Sequence, residues 1–335
     1  MNRRNFLGAA ALAAAGTGAG IAHMSVATAR GDVSAATNES DADAVAARRY
    51  NKERRFLDTR FGRIAYIDRG KGQPVLLLHG FPLSSFQWRG VIDRLAGTRR
   101  CLAPDSMGLG YTEVASGQGV TPADQVQMIA TFLDRLGLEK VDVIANDSGG
   151  AVAQLFLVAH PDRVRSLLLT NCDVEPDSPP AAVLPIIDLA RNGTYPDLYL
   201  EPWLRHKDVA RSSSGLGGMC FSNPAHPTDA ALEQYLGPLV SSPARKDLVN
   251  RYTLGLTPNP LQGITARLRE CQTPTRIIWG MSDTIFSTRS PEYLAQTLPH
   301  VLGIRRIQAA KLFFPEEYPQ VIAEEARLLW QQAGV

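Results

Sequence analysis

The stretch Val141-Asp142-Val143-Ile144-Ala145-Asn146-Asp147-Ser148-Gly149-Gly150-Ala151 places a carboxylate where an apolar strand-like run gives way to a small-residue helix start. Small residues stand two before it (Ala145) and two after it (Gly149). A sharp strand-to-helix turn needs that spacing, because neighbouring backbone passes too close there for larger side chains. The register selects Asp147 over Ser148: with Ser148 at the apex, Asn146 would occupy the crowded position. A carboxylate held out on such a turn can attack an electrophilic carbon or take a proton from one.

Two other segments supply what that chemistry requires. His79-Gly80-Phe81-Pro82 follows an apolar run, and a loop there can aim a backbone N–H at the developing oxyanion while the residue after the nucleophile aims a second. Phe81 and Ser148 take those donor roles, and His79 anchors the loop as a buried hydrogen-bonding residue. Ile277-Ile278-Trp279-Gly280-Met281-Ser282-Asp283 ends a strand-like run with an acid, and Asp283 is read as the orienting carboxylate. Each segment alone would pass for a turn. In this chain order they make one constellation.

The elements around them alternate. Strands are expected at Arg63–Asp68, Pro74–Leu78, Arg100–Ala103, Val141–Ala145, Ser166–Thr170, Thr275–Gly280 and Gly303–Ile307. Helices are expected at Trp88–Leu95, Ala123–Leu136, Gly149–Ala159, Pro291–Leu298 and Pro319–Gln332. Apolar strands alternating with helices predict an α/β fold with a mainly parallel sheet covered on both faces. From 173 to 263 the pattern becomes Pro-punctuated helical pieces with exposed-looking aromatics, Tyr195, Tyr199, Trp203, Phe221, Tyr235 and Tyr252 among them, which reads as a helical cap. The core then comprises 56–172 and 264–335.

Residues 56–335 resemble the α/β-hydrolase superfamily, whose Asp-x-x-Gly-x-Gly turn is matched by Asp105-Ser106-Met107-Gly108-Leu109-Gly110. The aspartate nucleophile and His-Gly-Phe-Pro resemble its haloalkane dehalogenase and epoxide hydrolase branch. The resemblance implies attack by Asp147 on an sp³ carbon, an alkyl-enzyme ester, and hydrolysis of that ester by water activated by a histidine. Haloalkane dehalogenases usually carry Trp after the nucleophile and often Asn or Glu after His-Gly. Here Ser148 and Phe81 stand at those places, which leans towards the epoxide side. Cap tyrosines protonate the opening ring in epoxide hydrolases, and Tyr195, Tyr199, Tyr235 and Tyr252 are available, though packing is the better reading for any one of them.

The base departs further. The usual Gly-His-Phe-x-x-Glu-x-x-Pro run reads Lys311-Leu312-Phe313-Phe314-Pro315-Glu316-Glu317-Tyr318-Pro319 here, with Leu312 at the histidine position. His300 lies on the far side of the preceding strand, His160 reads as a helix end, and His206 and His226 fall in the cap. Lys311 and Glu316 flank the vacancy, but a glutamate base there would need a strongly raised pKa. Without a base near pKa ~6.5, ester hydrolysis should be slow.

Three functions remain open at this stage. They are a cofactor-free hydrolase of a small apolar electrophile (epoxide, haloalkane or activated ester), a lyase or isomerase using Asp147 as general base, and a ligand-binding protein that has lost turnover. No metal site is expected, because none of the four cysteines at 101, 172, 220 and 271 sits in a Cys-x-x-Cys or Cys/His cluster. They read as buried thiols. A net charge of +2 argues against nucleic acid, and a small molecule is the expected partner.

Asn2-Arg3-Arg4-Asn5-Phe6-Leu7, the small apolar stretch Gly8–Ala22 and Ala27-Thr28-Ala29 resemble a twin-arginine export signal over 1–29. They imply the twin-arginine machinery as a partner and a periplasmic or secreted product with no stable membrane insertion. The Ala/Ser/Asp-rich 30–55 reads as a flexible leader, with order beginning near Phe56. The oligomeric state has no signature.

Overall fold

The computed structural model describes residues 29–335, with side chains from Asp41 onward. The export signal read over 1–29 lies outside the described residues, apart from Ala29. The chain divides into units 1–38 and 39–335, and the second holds the sheet, the cap and every side chain described below.

Strands β1 (Arg55–Thr59), β2 (Gly62–Arg69), β3 (Pro74–Leu78), β4 (Arg100–Pro104), β5 (Glu113–Val114), β6 (Val141–Asp147), β7 (Val164–Cys172), β8 (Thr275–Gly280) and β9 (Val301–Ile307) form one sheet. Its order is β1-β2-β4-β3-β6-β7-β8-β9, with β5 on β2. The β1–β2, β2–β4 and β2–β5 pairs are antiparallel and the others parallel. Strand β6 is buried at every residue and β7 nearly so, which is why both read as continuous apolar runs: helices cover each face. The sequence reading missed β1, a half-exposed edge strand with charged residues.

Helix α1 spans Ala29–Glu53, α2 Arg89–Leu95, α3 Pro122–Arg135 and α4 Ser148–Ala159. The cap follows as α5 (Leu184–Arg191), α6 (Glu201–Arg205), α7 (Lys207–Arg211), α8 (Leu216–Cys220), α9 (Asp229–Val240) and α10 (Pro243–Leu254). Helix α11 (Ile264–Leu268) returns to the core against α4, and α12 (Ser290–Thr297), α13 (Phe314–Glu317) and α14 (Pro319–Ala333) complete the chain. Among the described residues no helix is long and apolar enough to cross a membrane.

Two expectations need correction. The 30–55 segment is not a flexible leader but helix α1. Asp43, Ala47 and Tyr50 fall on one of its faces at helical spacing and are buried. Tyr50 donates from its hydroxyl to Ser85 O at 2.6 Å and meets Phe86 edge-to-face at 5.2 Å. The Ala/Asp-rich composition hid a narrow stripe whose partners lie far along the chain. The cap aromatics are not exposed either: Tyr195, Trp203, Phe221, Tyr235 and Tyr252 are buried, because the cap has no sheet and builds its interior from them.

Arg89 ties four elements together below the surface. Its guanidinium donates to both Asp43 oxygens at 2.8 and 2.7 Å and to Glu316 Oε1 at 2.8 Å. Tyr235, on α9, donates to Glu316 Oε2 at 2.5 Å. Burial pushes the Asp43 carboxyl up, but the Arg89 charge and its hydrogen bonds outweigh that and hold it below the usual range.

Candidate active site

Asp147 is the apex of the turn between β6 and α4, with φ 54 and ψ −131. It is the one non-glycine residue of positive φ among the described residues. Such a conformation costs on the order of 1–3 kcal/mol and persists only where the surroundings enforce it. The close approach that the sequence implied is real. A Cβ on Gly149 would lie 2.5 Å from Leu78 O, and one on Gly80 would lie 2.8 Å from both Asp147 Cβ and Phe313 Cε1.

The two amides stand where the spacing placed them. Phe81 N–H donates to Asp147 Oδ2 at 2.6 Å, and the Ser148 backbone and hydroxyl also hydrogen-bond to the carboxylate. The carboxylate is thus held by backbone amide donors at the N-terminus of α4, whose dipole favours negative charge. Burial nevertheless pushes the Asp147 carboxyl up to about 6 against those donors, and the nearby Asp283 charge pushes the same way. His79 anchors the loop: its Nε2 accepts from Ser106 N–H at 3.0 Å and its Nδ1 lies 2.9 Å from Gly80 O. Burial, the largest influence on it, holds the imidazole below its ordinary value.

Asn146, which would have crowded a serine apex, is instead a buried hub beneath the aspartate. Gln87 Nε2 donates to its Oδ1 at 2.6 Å, and its own amide donates to Thr170 Oγ1 at 2.8 Å and Leu312 O at 3.1 Å. Gln87 Oε1 in turn accepts from Gly80 N–H at 3.0 Å. This network sets the His-Gly-Phe-Pro loop against β6. Asp283 stands past the end of β8, where Asn171 Nδ2 donates to its Oδ2 at 2.6 Å and Ile285 N–H to its Oδ1 at 2.8 Å. Burial pushes it up to about 6.

No histidine joins these acids among the described residues. His160 caps the end of α4 against Phe156, and His206 and His300 are exposed. His226 is buried beside Phe221, 3.9 Å from Glu316. Leu312 is buried, and the adjoining Phe313 ring lies against Gly80 and Asp147. Glu316 is taken up by Arg89 and Tyr235, and Lys311 Nζ donates to Gly218 O at 2.5 Å. Apolar side chains therefore fill the place where a base was sought.

The cap separates the four tyrosines. Tyr195 and Tyr252 flank the Phe81 ring with centroids 5.9 and 5.4 Å away, and Tyr252 donates from its hydroxyl to Ser148 Oγ at 3.0 Å. Tyr199 packs edge-to-face on Trp203, and Tyr235 belongs to the Arg89 network. A surface cleft of about 500 Å³ lined by Tyr111, Glu113, Gln234 and Arg245 does not include Asp147.

Sequence reasoning missed Asn171, Asp173 and Phe313. The signal was available for the first two, since Asn171-Cys172-Asp173 ends the strand beside β6, and the carboxyl ends of adjacent parallel strands converge on one crevice. All four cysteines are buried free thiols, as expected. Among the described residues no group of three or more His, Cys, Asp or Glu is arranged to hold a metal ion.

Comparison with known proteins shows the family. Residues 73–202 match the family described as alpha/beta hydrolase fold. The chain is 31% identical over 280 residues to haloalkane dehalogenase 2 of Mycobacterium bovis, covering 82% of this chain and 93% of that protein. It is 25% identical over 262 residues to the cis-3-alkyl-4-alkyloxetan-2-one decarboxylase of Shewanella oneidensis, covering 74% of this chain and 79% of that one. The epoxide hydrolase CorEH superposes with a TM-score of 0.68 at 23% identity, over 83% of this chain and 98% of its own, a likeness of fold. With a turn-borne carboxylate, two amide donors and a helical cap on a mainly parallel sheet, this chain belongs to the α/β-hydrolase superfamily, as a hydrolase with haloalkane dehalogenase and epoxide hydrolase relatives.

Proposed function

We propose that the protein hydrolyses a small apolar electrophile, an epoxide in preference to a haloalkane or activated ester, through an ester on Asp147. The observation that carries this reading is the Asp147 carboxylate at the apex of the bend, facing donors from two segments. Oδ2 accepts from the Phe81 amide at 2.6 Å and the carboxylate also accepts from Ser148, donors that would steady an oxyanion in the hydrolysis step. Ser148, to which Tyr252 donates at 3.0 Å, follows the nucleophile where the resemblance would put a halide-holding Trp, which favours an oxygen leaving group. Aromatic side chains, Phe81, Tyr195, Tyr252 and Phe313, line the approach and suit an apolar substrate. Intact mass measured after mixing with epoxides, haloalkanes and strained lactones should show an adduct that maps to Asp147. Turnover without any adduct would move the assignment to the second reading, proton abstraction by Asp147, which the absence of a neighbouring histidine favours.

Leu312 separates both from a protein that only binds. The wild type is expected to turn over members of that panel unaided. A wild type inert throughout, which gains hydrolysis on Leu312→His, would replace this reading with that of a binding protein.

Export by the twin-arginine route belongs to the same proposal and is supported by Asn2-Arg3-Arg4-Asn5-Phe6-Leu7. Replacing both Arg3 and Arg4 by Lys is expected to retain the protein in the cytoplasm on cell fractionation, and unchanged export would refute it.

A further inference from the structure

Asp173 is a buried acid to which the mechanism so far assigns no task. It directly follows Cys172, the register partner of Asp147 across β6 and β7, and is 7% exposed. Ser178 donates from its hydroxyl to Asp173 Oδ1 at 2.8 Å, and Gln154 Nε2 holds its backbone carbonyl at 2.8 Å. The groups that act most strongly on Asp147, Asp173 and Asp283 are hydrogen-bond donors and other acids, and no lysine or arginine pairs with any of the three; Lys311, whose charge reaches Cys220 nearby, gives its ammonium to Gly218 O at 2.5 Å. Tyr252, hydrogen-bonded to Ser148, feels the charges of both Asp147 and Asp173, so the three groups share one compartment.

Two acids in one dry compartment, with no cation paired to either, do not both ionise. Burial pushes Asp173 up to about 8, with the Asp147 charge and that of Asp177 acting the same way. Asp147 itself sits at about 6. At neutral pH the pair therefore holds one proton, on Asp173, and leaves Asp147 as the carboxylate.

We propose that Asp173 is the acid–base partner of Asp147, giving a proton to the oxygen that leaves the attacked carbon and afterwards taking one from the hydrolytic water. The proposal rests on the nucleophile reading above and supplies the group that Leu312 cannot. An Asp147 oxygen forms a bond to an epoxide carbon, the C–O bond breaks, and the ring oxygen takes the Asp173 proton. The products are a hydroxyalkyl ester on Asp147 and a carboxylate at Asp173. That carboxylate removes a proton from water while the hydroxide adds to the ester carbonyl. Collapse expels the diol alkoxide, which takes the proton of the newly formed Asp147 acid. Both residues return to their starting states, and the net reaction is epoxide plus water to diol. A strained cyclic ether fits this cycle better than a haloalkane, because the ether's departure delivers Asp173 directly to the form that activates water, whereas after a halide's departure Asp173 must first lose its proton to solvent.

The test uses the purified full chain, its Asp173→Asn variant and two probes, styrene oxide and a primary alkyl iodide. The iodide leaves with its electron pair and needs no proton, so both proteins should acquire the same Asp147 adduct by intact mass. Decay of that adduct should be about tenfold or more slower in Asp173→Asn, and styrene oxide turnover should fall about 10²-fold. Adduct decay and epoxide turnover at wild-type rates in Asp173→Asn would overturn the role of Asp173 and leave the nucleophile standing. Failure of the wild type to form an adduct with either probe removes the nucleophile reading and this inference with it. Should Asp173→Asn not fold, adduct decay in the wild type decides: it should accelerate with pH across an acid titration lying below about 8, since the ester no longer carries the Asp147 charge. A flat profile from acid to mildly alkaline pH would overturn the proposal.

Discussion

Asp147→Asn is expected to lower turnover by about 10³-fold or more while leaving the protein folded and, at alkaline pH, more stable than the wild type. The loss of activity follows because an amide oxygen is a far weaker nucleophile than a carboxylate. The gain in stability follows from the position of the carboxyl. Its folded-state value of about 6 lies above its ordinary 3.8, so the charged form is disfavoured by folding. The contribution of such a group is fully present below about pH 4 and is lost as the pH rises through 6. Asn carries no charge to bury, so the variant should exceed the wild type at pH 8 by on the order of 1–3 kcal/mol and match it near pH 4. Asn also tolerates the left-handed backbone of the turn better than most residues. Denaturant titrations at the two pH values, run beside steady-state rates, check both halves. Retained turnover would displace Asp147 from the chemistry, and equal stability at pH 8 would contradict the raised titration.

Arg89→Leu is expected to cost about 3–5 kcal/mol at pH 7, the largest loss of stability among single substitutions considered. The arginine is shared by Asp43 and Glu316, both buried, at 2.7 and 2.8 Å. Removing it leaves two carboxylates in a low-dielectric interior with no arginine or lysine paired to them and only the His226 imidazole, 3.9 Å from Glu316, able to carry positive charge, and the Tyr235 hydroxyl at 2.5 Å from Glu316 cannot neutralise either. The penalty should shrink as pH falls, because the orphaned acids then take up protons. Urea unfolding at pH 7 and pH 5 measures this. A loss below about 1 kcal/mol at pH 7 would mean that the network adds little beyond its packing. Because Arg89 opens α2 while its partners lie on α1 and α13, with α9 linked through Tyr235, the same variant should loosen the described part of α1 first.

The bend at Asp147, the loop that brings the Phe81 amide to it and the position of Asp283 past β8 were legible from residue order alone. A turn with φ 54 admits few side-chain arrangements, and the small residues that it demands are local in sequence. The alternation of apolar runs with helical stretches likewise declared a covered parallel sheet, since burial on both faces of β6 and β7 leaves no polar residue facing solvent. Helix α1 escaped detection because the three buried residues among positions 41–53 do not raise the apolar content, and their partners, Arg89, Ser85 and Phe86, come from elsewhere in the chain. Leu312 was visible as a departure, yet what replaces the missing base was not.

The amino-acid order by itself determined which carboxylate stands on the bend, which two amides can face it and that a helical segment is inserted after β7, because those features depend on spacing within a few residues. Only the tertiary structure decided that Asp173 joins Asp147, that Tyr195 and Tyr252 rather than Tyr199 and Tyr235 close the site, and that Glu316 serves the Arg89 network. These depend on which strand ends and cap helices meet, and on the burial that raises or lowers each titration. Burial is a property of the packed interior and of no single segment.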